Sequence, residues 1–158
     1  MPYKSLEQSI TLRFARKANE HLLYLVTLKQ KLNMKVVKWI VLILVALAYL
    51  VPGIMKLMTP YAEMIANPAM AWAEGFSAQQ VKIIGTLEIL GVLGMLLPLF
   101  LKKFKMLVPV SALALAVLMI GAIVTHLGRE EPIIMNIAIL VLTLLVFWWH
   151  KDWLKKTA

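Results

Sequence analysis

Glu88 is a carboxylate inside a run of apolar residues long enough to cross a bilayer, with Gly85 and Gly91 three positions to either side. Carrying an ionisable side chain to bilayer depth is costly, so such a group marks a functional site by default. Residues three apart share a helix face, so the carboxylate is flanked on its own face by two residues without side chains. Glycine faces let neighbouring helices come close, which directs Glu88 toward protein and away from lipid. Lys56, Lys82, His126 and Asn136 are the other polar groups that the spans are expected to bring to a similar depth. A desolvated carboxylate needs a cation or a proton nearby, and Lys56 or His126 would supply it. The catalytic candidates are therefore Glu88, Lys56 and His126, and the candidates for holding a cofactor are Glu88, Lys82, His126 and Asn136. The competing reading is glue: Glu88 paired to Lys56, or hydrogen-bonded to His126, simply holding a bundle together. A functional role is favoured, because Asn or Thr would serve as glue at less cost.

Other chemistries find little support. Cysteine is absent, which removes disulfides, thiolate metal sites and iron–sulfur clusters. No metal site is expected, since no cluster of His and carboxylate stands at ligand spacing. Haem is disfavoured, with His126 and His150 assigned to opposite membrane faces and His21 outside the spans. Asn136 and Thr143, seven apart, read as interhelical hydrogen-bonding groups, and the ten methionines read as apolar filler.

What positions these residues follows from composition. Hydrophobic residues fill 61% of the 158 positions and mean hydropathy is +0.81, which argues for an integral membrane protein. A net charge of +9 would suit nucleic acid, but its distribution argues for membrane topology, and no nucleic-acid partner is expected. The predicted fold is all-α: a four-helix membrane bundle with spans at about 36–57, 80–98, 106–127 and 133–149, forming one domain over 34–158. Pro98 is expected to end the second span, Gly128 to cap the third, and Pro132 to occupy the first turn of the fourth. Ser77 and Gln80 have the spacing of a capping box that starts the second helix near Ala78. Tyr61 to Ala73 predicts a short surface helix. Ser111, Ala114, Leu118, Ala122 and Thr125 predict a close-packing stripe on the third span.

Residues 1–33 lack the pattern of a signal peptide. Leu6, Ile10, Phe14, Ala18, Leu22, Leu25 and Leu28 recur at helical spacing beside Lys4, Arg13, Arg16, Lys17, Lys29 and Lys31. Two readings stand: an amphipathic helix lying on an anionic lipid leaflet, or a disordered leader with translation starting at Met34. Eight basic residues precede Trp39, three occupy 102–105 and three the tail, against Lys56, Lys82 and Arg129 on the other side. The positive-inside rule then puts both termini in the cytoplasm, with Trp39, Trp148, Trp149 and Trp153 as an inner aromatic belt.

Pro52-Gly53-Ile-Met-Lys56-Leu57, Gly85-Thr-Leu-Glu88-Ile-Leu-Gly91 with Pro98, and Met119-Ile-Gly121-Ala122-Ile-Val-Thr125-His126 resemble the DoxX-like family of small four-span membrane proteins, over about Met34 to His150. The leader departs from that pattern. The resemblance implies a shared polar site of Lys56, Glu88 and His126. It also implies kinship with a membrane subunit of a thiosulfate:quinone oxidoreductase and with an organiser of an oxidoreductase complex. No cofactor motif accompanies it. The expected function is a cytoplasmic-membrane partner, with or without an oxidoreductase subunit beside it, in redox or quinone-linked chemistry. Its outer-leaflet pocket would hold a quinone, whose carbonyl oxygens need a hydrogen-bond donor or proton carrier. Alternatives are a non-enzymatic assembly or chaperone-like scaffold and a proton-coupled carrier of small solutes; an oligomer is compatible with each.

Overall fold

A computed structural model describes residues 3–101 and 103–155, all helix or short connection, with no strand among them. Lys102 and Lys156 of the basic clusters lie outside the described residues, as do the side chains of Lys4, Leu6, Ile10, Phe14 and Ala18. Five α-helices follow in order: α1 Tyr3–Met58, α2 Tyr61–Ala66, α3 Ala78–Leu101, α4 Leu107–Gly128 and α5 Ile134–His150. Four candidate spans fall within Asn19–Met58, Ala78–Leu101, Leu107–Gly128 and Ile134–Trp153.

The chain divides into two compact units, 1–40 and 41–158. The first is the N-terminal part of α1. Leu22, Leu23, Tyr24, Leu25 and Val26 are consecutive and all exposed, so they cover every side of the helix rather than one. Lys29, Lys31 and Lys35 are exposed as well.

The second unit is the bundle. Leu42, Val45, Ala46 and Tyr49 of α1, Val92 and Met95 of α3, Val108, Ala112, Leu115 and Met119 of α4 and Val146 of α5 form its core. Their spacing of three and four residues makes a narrow inward stripe on each helix. The outward positions, such as Leu90, Leu97, Val110, Leu113, Val117 and Val124, are as apolar as the inward ones. That inverted economy suits helices surrounded by lipid. Trp153 and Trp148 lie against Lys105 and Lys151, at 5.8 and 3.2 Å from ring centroid to Nζ.

The connection between α1 and α3 is structured. The predicted helix over Tyr61 to Ala73 is interrupted: Asn67 leaves helical geometry at ψ 118 and a 3₁₀ segment follows over Pro68–Gly75. Pro68 disfavours the helical region in the residue before it. Met64, Ala73 and Val81 make a small core under this segment, and Tyr61 donates its hydroxyl hydrogen bond to the Phe76 carbonyl at 2.6 Å. The capping box forms in both directions, Gln80 N–H to Ser77 Oγ at 3.3 Å and Ser77 N–H to Gln80 Oε1 at 2.8 Å.

Other boundaries shift. Pro98 sits inside α3, buried, and the helix runs on to Leu101. A proline in a membrane helix is tolerated when neighbours occupy the disturbed turn. Gly128 is the last helical residue and Arg129 the cap, while the left-handed conformation falls to Glu130 at φ 57. Pro132 precedes α5, whose cap is Ile133. On α4 the predicted stripe packs in part: Ser111, Leu118, Ala122 and Thr125 are half-buried, Ala114 is exposed, and the fully buried seam runs through Val108, Ala112, Leu115 and Met119.

Candidate functional site

Glycine pairing brings the central polar residues together. A Cβ on Gly85 would stand 2.8 Å from the Gly53 carbonyl oxygen and 2.8 Å from Lys56 Cβ, and one on Gly53 would stand 3.3 Å from Glu88 Cβ. With no side chains in the way, α1 and α3 approach backbone to backbone: Lys56 stands across from Gly85 and Glu88 across from Gly53, and the two side chains meet over the glycine contact. Gly91 and Gly94 make room for the side chains of Leu115 and Ser111 on α4.

Lys56 Nζ donates to both carboxylate oxygens of Glu88, each at 2.7 Å. Both side chains are 10% exposed. Geometry of this quality is what a desolvated ion pair needs to offset lost hydration. Trp72, carried by the 3₁₀ segment, lies with its ring centroid 5.3 Å from the same Nζ. Its indole thus offers the ammonium a cation–π contact beside the carboxylate.

The pair forms part of the wall of a cavity of about 670 Å³, whose lining also includes Tyr49, Trp72, His126 and Asn136. Tyr49 anchors its inner wall, donating to the Leu115 carbonyl at 3.0 Å with Thr143 Oγ1 3.2 Å away. Thr143 donates to the Ile139 carbonyl at 2.7 Å, so one hydroxyl network ties α1, α4 and α5. Asn136 on α5 donates from Nδ2 only to Met119 Sδ, at 3.7 Å, and thioether sulfur is a weak acceptor. The remaining lining is mostly apolar, with Met55, Met64 and Met70 among it.

Lys56, Glu88, His126 and Asn136 therefore share one cavity. Lys82 does not: it is exposed on α3 and absent from the lining, and its carbonyl accepts from Thr86 Oγ1 at 2.8 Å. His126 does not bond Glu88; its Nδ1 meets Glu131 Oε2 at 2.6 Å. Glu131 also accepts from Arg129 Nε at 2.8 Å, and Arg129 Nη2 stands 3.6 Å from Glu74 Oε2. Arg129 first, and His126 second, hold the Glu131 carboxyl below the usual carboxylate range, and Glu131 in turn raises the Arg129 guanidinium.

Tyr49, Trp72 and Glu131 are the site residues that sequence reasoning passed over. Tyr49 had a usable signal, because a hydroxyl in mid-span must find a partner. Trp72 reaches the cavity, and Glu131 reaches His126, from connections whose geometry has no such signature.

Neither curated proteins nor solved structures offer a match to this chain. The DoxX-like family does, over residues 40–148, which spans all four helices of the bundle. The chain belongs to the DoxX-like family, as a multi-pass integral membrane protein.

Proposed function

We propose that this protein is a cytoplasmic-membrane partner in redox chemistry that receives a quinone headgroup beside Lys56 and Glu88. The observation that supports it is the cavity: about 670 Å³, mostly apolar, with an ion pair, an indole, an imidazole and an under-used amide in its wall. That is the size and character of a site for a ring-bearing small molecule. Asn136 Nδ2 is the donor best placed to exchange a sulfur partner for a ligand carbonyl. Both termini would be cytoplasmic and the cavity on the outer side, as the basic residues suggest. Lys29, Lys31 and Lys35, exposed on α1, would face anionic lipid.

The test is thermal unfolding of the detergent-solubilised full chain with a decyl-chain benzoquinone. The melting temperature should rise with ligand, and Asn136→Leu should keep the unliganded melting point while losing the response. A wild-type protein indifferent to quinone would sink the reading. Reporter fusions at Lys103 and Glu130 should give cytoplasm and outside respectively; the reverse would invert the assigned depth of the cavity.

A scaffold is the second reading, favoured by the completeness of the Lys56–Glu88 pair, which leaves neither charge seeking a ligand. It requires the cavity to be indifferent to quinone.

A further inference from the structure

The turn after α4 builds a second polar unit on the rim of the cavity. Glu131 N–H returns to the His126 carbonyl at 3.0 Å, and Glu130 N–H to the Leu127 carbonyl at 3.2 Å. With Glu130 left-handed at φ 57, this is a Schellman termination, whose outer bond joins the third-last position to the second residue past the cap. It therefore lays Glu131 directly over His126, and the 2.6 Å contact between Oε2 and Nδ1 follows. Glu131 is also gripped by Arg129 at 2.8 Å, which keeps it ionised. The hydrogen in the short contact then belongs to Nδ1. In its neutral form an imidazole so fixed presents Nε2 as an acceptor. Nε2 has no hydrogen-bond partner among the described residues, and His126 lines the cavity. The other charged groups in the lining, Lys56 and Glu88, satisfy each other. Arg129, which also pairs with Glu74, and the neighbouring Glu130 are the further charged groups of this turn.

We propose that Glu131 makes the cavity selective for a ring ligand in its hydroxyl form, by fixing His126 as the acceptor for that hydroxyl. The proposal rests on the quinone reading above and adds its redox preference. A quinol or phenol O–H donates to Nε2, whereas a quinone carbonyl meets a lone pair there and gains nothing. No bond to the ligand is made or broken. Glu131 touches no ligand and is a positioning residue, acting through the tautomer of His126. One hydrogen bond made rather than missed corresponds to a preference on the order of tenfold.

The experiment pairs binding with spectroscopy on the full chain in detergent. Decyl-benzoquinol should bind on the order of tenfold more tightly than decyl-benzoquinone. Nitrogen-15 histidine spectra should show His126 protonated at Nδ1. Glu131→Ala should bring the binding ratio toward one and redistribute the tautomer, while Glu131→Gln, whose amide oxygen still accepts from Nδ1, should retain most of the preference. Equal binding of both forms by the wild type would overturn the selectivity and leave the quinone site standing. Binding of neither form would remove the quinone reading and this one with it. Protonation of His126 at Nε2 in the wild type, or equal loss of both ligands in Glu131→Ala, would also overturn it. Should Glu131→Ala not fold, the wild-type spectrum and the Gln variant still decide.

Discussion

Gly53 and Gly85 touch backbone to backbone, with the Gly53 carbonyl oxygen only 2.8 Å from where a Gly85 side chain would begin. This contact sets the distance between α1 and α3, and it puts Lys56 across from Gly85 and Glu88 across from Gly53, within reach of each other. The ion pair depends on a helix approach that only two side-chain-free positions permit. Gly91 and Gly94 extend the approach to α4, so the faces around Glu88 are spent on protein contact and the carboxylate is kept from lipid.

Gly85→Ala should therefore be the most disruptive single methyl in the bundle. Its Cβ would meet a backbone oxygen, which cannot rotate aside as a side chain can. Overpacking of this kind costs roughly 1–3 kcal/mol. Stability in mixed micelles should fall by that amount, and Gly121→Ala, where nothing lies within 4 Å, should be neutral. Equal behaviour of the two variants would mean that the helices separate freely and that the glycines do not set the pair.

Removing one partner of the buried pair strands the other. Lys56→Met and Glu88→Ala should each cost roughly 3–5 kcal/mol, and Glu88→Gln somewhat less, since an amide oxygen still accepts from Nζ. The double variant Lys56→Met/Glu88→Leu should recover most of the loss, because an apolar pair of similar volume is often neutral or stabilising. Denaturant titrations of the wild type, Lys56→Met, Glu88→Leu and the double variant give the coupling directly. Additive losses would show that Lys56 and Glu88 are solvated separately.

The sequence made Glu88 legible because a carboxylate in an apolar run stands out, and Gly85 and Gly91 told which way it faces. Its cation stayed open between Lys56 and His126, and the pairing with Lys56 came from the helix approach. The capping box at Ser77 was equally legible, since both partners are local. The packed seam of α4 was not: with Val, Leu and Ala on all sides, hydropathy carries little directional signal. Lys82 was grouped with the site by its position along the chain alone, whereas its side chain is exposed and outside the cavity lining. The partnership of His126 with Glu131 depends on a left-handed Glu130, a conformation that glycine would have announced and glutamate does not.

Glu130 at φ 57 is a stabilisation left unused. A left-handed conformation costs a residue with a side chain roughly 1–2 kcal/mol, and glycine escapes this. Glu130→Gly should raise stability by about 1 kcal/mol after the added freedom of the unfolded chain is subtracted. The helix end should be preserved, so the His126 ring signals should not move. A destabilised variant would mean that the Glu130 side chain contributes contacts the turn depends on.

Acid should loosen the same turn. The Glu131 carboxyl is held below its ordinary value of 4.5 by Arg129 and His126, so the folded state binds the proton less readily than the unfolded chain does. Its stabilising contribution is then fully present above the unfolded value and is lost as pH falls through the lower folded value. Between neutral pH and about 5 this group should leave the melting temperature unchanged; below about 4.5 the melting temperature should fall, and less steeply in Glu131→Gln than in the wild type. Because Arg129 and Glu131 are accessible to water, salt should shrink the difference. The measurement is a series of melting curves from pH 7 to pH 3 at low and high ionic strength. Identical acid limbs for the two proteins would mean that Glu131 titrates as an ordinary surface carboxylate. The turn would then not hold His126 through an ionised partner, and the assignment of the proton to Nδ1 would lose its electrostatic basis.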